Sequence, residues 1–62
     1  MRIKYKLEDN NNYVDLIEIE SDIAPNIGDK VLIGQVYMVF DKHFIVMELT
    51  KTTFLLVFVK LV

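Results

Sequence analysis

The side chains that could do chemistry are few. His43 is the only residue whose unperturbed side chain titrates near neutrality, and it follows Asp41 and Lys42 directly. A general base needs a nucleophile or an acid within hydrogen-bond reach, and the spacing supplies neither, so His43 reads as a solvated turn residue. Ser21 is the only serine and lies outside any nucleophile-elbow pattern. With no cysteine and one histidine, a zinc site has no ligands to draw on. Glu18, Glu20 and Asp22 fall at alternate positions and would project to one side of an extended chain, where three carboxylates can hold a hard cation. They lack the glycine and the distal glutamate of a calcium loop, and they read as solvated or lysine-paired acids. The expectation is a protein that is not an enzyme and has no cofactor and no metal.

Aromatic residues open a second possibility. Tyr5, Tyr13, Tyr37, Phe40 and Phe44 offer rings on which a base could stack. The cations nearest them, Lys30 and Lys42, each follow an aspartate, Asp29 and Asp41, which cancels most of the local field. The net charge of -2 disfavours nucleic acid as a partner. What remains is a small-ligand site at an oligomer interface, with Tyr37, Lys42, His43 and Phe44 lining a pocket that sequesters an anionic, nucleotide-like molecule. In a chain this small, aromatic rings more often serve the core.

Short strands must position all of these residues. Arg2 to Leu7 alternates, with Ile3, Tyr5 and Leu7 on one side and Arg2, Lys4 and Lys6 on the other. Glu8 to Asn12 is a polar turn. Tyr13 to Ile19 then returns antiparallel, in a register that can set Lys6 opposite Asp15. Glu20 to Lys30 contains Pro25, Asn26 and Gly28 and turns the chain, with room for a single helical turn at Ser21 to Ala24. Val31 to Phe40 forms a third strand bent or bulged at Gly34, and Asp41-Lys42 is a tight connection. His43 to Leu49 and Thr53 to Val62 complete five strands, joined by a turn at Thr50 to Thr52. The fold class is all-β in a single domain, residues 1 to 62: a small five-stranded barrel or a strongly bent antiparallel sheet.

The C-terminal half is apolar on both faces. Val31, Ile33, Tyr37 and Val39 oppose Leu32, Val36, Met38 and Phe40, while Leu55, Val57, Val59 and Leu61 oppose Phe54, Leu56, Phe58 and Val62. An antiparallel sheet with one wet side alternates apolar with polar residues. Here a second apolar face is left for a partner. Val36, Met38, Phe40, Phe54, Leu56 and Phe58 are the expected oligomer surface. Phe54 to Val59, uncharged and rich in β-formers, is expected to be paired or covered, since an open edge of that kind aggregates.

The totals agree with self-association. Folding 62 residues buries only about 60% of the unfolded surface, and chains this small usually need disulfides, a metal or oligomerisation. Hydrophobic residues make up 53% of the chain, and the mean hydropathy is +0.34. The longest apolar run, Phe54 to Val59, falls far short of the roughly 18 to 20 residues that span a bilayer. There is no secretory signal pattern, so no membrane association and a cytoplasmic location are expected.

From Ala24-Pro25-Asn26-Ile27-Gly28-Asp29-Lys30-Val31, through Gly34, to Val36-Tyr37-Met38-Val39, the chain resembles the small SH3-like barrels of short bacterial and bacteriophage proteins. The likeness covers about half the chain, from Pro25 onward. It implies that fold and no particular activity. It also implies a phage or mobile-element accessory protein; that such a module binds a host protein is a further expectation.

Overall fold

A computed structural model describes all 62 residues. Five strands follow one another: β1 (Arg2–Asp9), β2 (Asn12–Glu20), β3 (Lys30–Ile33), β4 (Gln35–Met47) and β5 (Thr52–Leu61). They form one sheet in the order β2-β1-β5-β4-β3, curled into a half-barrel that is compatible with an SH3-like fold. Three ladders are antiparallel. The fourth, β1 with β5, is parallel, so the sheet is mixed.

The all-β class and the number of strands match the sequence reading, but two boundaries move. Gly34 does not bend a single strand; it separates β3 from β4. Its φ of +73° is one that a side chain would resist, and it lets Ile33 pair with Gln35 across the turn. Conversely, Asp41-Lys42 is not a connection but lies inside the 13-residue β4. A β-bulge between Val39 and Asp41 absorbs one extra residue there. Ser21 to Ala24 makes no helical turn. Instead the Ser21 hydroxyl accepts the Ile23 N–H at 3.1 Å and donates to the Ile23 carbonyl at 2.9 Å, a local turn that competes with helix.

Alternation along the strands decides what is buried. Ile3, Tyr5, Tyr37, Val39, Leu55, Val57 and Val59 form the core, and Leu7, Leu16, Ile19, Ala24, Val31 and Ile33 pack against it. β5 supplies three of the seven core residues because it is the central strand, bonded to β1 on one side and β4 on the other. Phe54 to Val59 is therefore paired along both edges, as expected. The loop after β2 closes one end: Gly28 N–H donates to the Val39 carbonyl at 2.8 Å, Val39 N–H to the Asp29 carbonyl at 2.9 Å, and the Lys42 ammonium to the Pro25 carbonyl at 3.0 Å.

Candidate functional site

Opposite the core, the sheet carries rows of different chemistry, and the register puts them side by side. On β2, Asp15, Glu18 and Glu20 stand across from Lys6, Lys4 and Arg2 of β1. Beyond the cations, in the parallel ladder, Arg2, Lys4 and Lys6 adjoin Phe54, Leu56 and Phe58 of β5. Beyond those, Ile45, His43 and Asp41 of β4 pair with the same three residues. An apolar strip thus runs down the middle of the face, with cations along one side and Ile45, His43 and Asp41 along the other.

The charges are mostly paired. Lys6 meets Asp15 at 2.9 Å, the pairing the hairpin register anticipates, and Arg2 meets Glu18 at 2.9 Å. Glu20 accepts a hydrogen bond from the Met1 amino group at 2.8 Å, which, followed by nearby positive charge, holds its carboxyl below the usual range. Glu18 and Glu20 are thus both ion-paired, and no cluster of three or more acidic, histidine or cysteine side chains forms that could hold a metal ion. Asp41 accepts the Lys42 N–H at 2.8 Å and contacts His43 Nε2 at 3.0 Å.

The strip is partly sheltered by the protein's own side chains. The Lys4 ammonium lies 4.4 Å from the centre of the Phe54 ring. Phe58 is flanked by Tyr13, Phe40 and His43, at centroid distances of 5.1, 6.3 and 6.0 Å. Two open depressions, of about 580 and 420 Å³, lie along it, one beside Phe54 and Leu56 and the other beside Leu56 and Phe58.

Of the residues anticipated for an oligomer surface, Phe54, Leu56, Phe58, Met38 and Val36 share this face by register, and the Phe40 ring reaches it from the bulge to contact Phe58. The anticipated ligand set does not converge. Tyr37 is buried in the core, Lys42 is turned to the Pro25 carbonyl, and His43 stands on the opposite face beside Phe58. Phe44, paired with core residue Leu55, projects into solvent. Neither depression contains Tyr37, Lys42 or Phe44.

No family model, curated protein or solved structure matches this chain. Its site is therefore read from geometry alone.

That geometry contains a feature the sequence reading missed. β4 is covered by β3 and the preceding loop only as far as Val39, where the bonds to Gly28 and Asp29 end. From Asp41 to Met47 it is paired with β5 on one side and with no strand on the other; Lys42 is still engaged there, its N–H by the Asp41 carboxylate and its ammonium by the Pro25 carbonyl, so the open stretch runs from His43 to Met47. Along this free edge Phe44, Ile45, Val46 and Met47 are all exposed, Phe44 and Val46 by more than 60%, and Leu49 in the adjoining turn is 99% exposed. The signal was present in Phe44-Ile45-Val46-Met47, an uncharged run two residues after a charged pair. It was hidden by the similar run in β5, which is internal.

Proposed function

We propose that this protein is a non-enzymatic interaction module that works by adding another chain to its sheet, in the first place a second copy of itself. The observation that carries the reading is the β4 edge from His43 to Met47, where backbone without a strand partner and the exposed apolar side chains of Phe44 to Met47 coincide. Natural sheets blunt such edges with charge, proline or a bulge. The other long edge, β2, is protected in this way: it bears Asp15, Glu18 and Glu20 and has a bulge opposite Tyr5 and Lys6. Phe44 to Met47 has no charge and no proline.

The dimensions support the same reading. A compact monomer of this mass exposes about 4,200 Å², whereas this protomer exposes 4559 Å² and measures 35 × 25 × 18 Å. The strip of Phe54, Leu56 and Phe58, with Val36, Met38 and Phe40, offers a second and better shielded contact area on the same protomer. The resemblance from Pro25 onward supports the finer reading of a bacterial or bacteriophage accessory protein; a cytoplasmic location and a host protein as partner are part of the same proposal.

Multi-angle light scattering on a size-exclusion column tests the proposal. The expected mass at micromolar concentration is a multiple of 7.3 kDa. A single monomeric species across that range removes self-association.

A further inference from the structure

Resting on that reading, we infer that two copies join antiparallel through their β4 edges about a two-fold axis at Ile45, giving one continuous ten-stranded sheet. A symmetric antiparallel pairing must set one residue against its own copy and keep like faces together. The free segment allows few choices. An axis at His43 would extend the ladder back to Val39, whose N–H and carbonyl are already bonded to the loop. An axis at Phe44 runs the ladder into Lys42 and Asp41, setting them against Val46 and Met47, although the Lys42 N–H and ammonium and the Asp41 carboxylate are already engaged. An axis at Val46 sets Phe44 against Glu48. Only the axis at Ile45 centres the open stretch, His43 to Met47, on its own copy; it also sets Lys42, whose ammonium bonds the Pro25 carbonyl in the single protomer, against Glu48 of the second copy, an opposite-charge pair that symmetry repeats.

The same register pairs Phe44 with Val46 twice, an aromatic against a β-branched side chain, and both of these residues are exposed in the single protomer. His43 meets Met47. Asp41 and Leu49 fall opposite each other beyond the open stretch, at the end of the ladder. The partner is thus specified by complementarity within the five-residue stretch from His43 to Met47 and the charged residues that flank it.

The absence of cysteine makes the test clean. Single variants F44C, I45C, V46C and, as a control on the distant loop, I23C are oxidised under identical conditions, and disulfide-linked dimer is followed on non-reducing gels. The expected result is that I45C cross-links fastest, at least ten-fold faster than I23C, since only there does a residue face itself. A second arm needs no cysteine. E48K, in the exposed turn, should weaken the dimer about ten-fold by setting two lysines together twice, and K42E/E48K should restore it to within about three-fold. A wild-type monomer by light scattering overturns both this inference and the reading beneath it. A stable dimer in which I45C links no faster than I23C, or more slowly than F44C or V46C, overturns the Ile45 axis and leaves self-association standing. A dimer indifferent to E48K also overturns it.

Discussion

Tyr13 and Phe58 meet edge-to-face across the width of β1, their ring centroids 5.1 Å apart and their planes at 67°. Tyr13 is the second residue of β2, the outermost strand on its side of the sheet, and Phe58 lies on the central strand, so this contact ties the outer strand to the middle on the face away from the core. Edge-to-face pairs contribute about 0.5 to 1.5 kcal/mol beyond the area they bury. Tyr13→Ala is expected to cost about 1 kcal/mol in urea denaturation. Phe58→Ala should cost more, about 2 kcal/mol, because its ring also contacts Phe40 and His43. A double-mutant cycle that shows no coupling between positions 13 and 58 would rule out the tie.

Gly34 carries the only residue between β3 and β4, at φ +73°, with no atom within 4 Å of where a Cβ would lie. Space is available and backbone geometry is not. Gly34→Ala is therefore expected to destabilise by about 1 to 2 kcal/mol, the cost of a left-handed L-residue. Gly34→Asn, which tolerates that conformation better, should recover part of it. If alanine is neutral in thermal melts, the turn does not need the positive φ.

Face assignment was legible in the sequence because alternation has a period of two. Tyr37 and Val39, Leu55, Val57 and Val59 are in the core, and Met38, Phe54, Leu56 and Phe58 are on the other side. The hairpin register that pairs Lys6 with Asp15 was legible for the same reason, with opposite charges close in sequence. Strand boundaries were less so. A glycine inside an apolar run fits a bend, a bulge or a turn equally well, and Asp41-Lys42 resembled a turn because charged residues seldom lie mid-strand. Here the bulge at Phe40 lets Asp41 stay on the wetter face beside Phe58, while Lys42 reaches the Pro25 carbonyl. The parallel β1·β5 ladder had no local signature at all, since nothing in Arg2 to Leu7 names a partner some fifty residues later. The free edge of β4 depends on that same long-range arrangement. The sequence alone could therefore not tell the covered apolar strand from the bare one.

Leu55 is 1% exposed and belongs to a core of only seven residues. Removing three carbons from such a site leaves a cavity that so small a sheet has little means to fill. Leu55→Ala is expected to cost about 3 kcal/mol. A domain of this length has roughly 3 to 9 kcal/mol in total, so the variant should be partly unfolded at 37 °C by circular dichroism. Loss below about 1 kcal/mol would mean that the core is looser than the packing indicates.

Tyr5 gives the fold a response to alkali. The residue is 6% exposed, and burial raises its phenol above the ordinary value of 10.0. The folded protein keeps this proton to higher pH than the unfolded chain. The contribution is complete below about pH 10 and is lost as pH rises through the folded value. Between those two points stability should fall by at most about 1.4 kcal/mol per pH unit from this residue. Tyr5→Phe has no proton to lose and should flatten that part of the profile while leaving the neutral-pH response unchanged. Parallel alkaline denaturation curves for the two proteins would show that Tyr5 ionises as freely in the folded state as in the unfolded one.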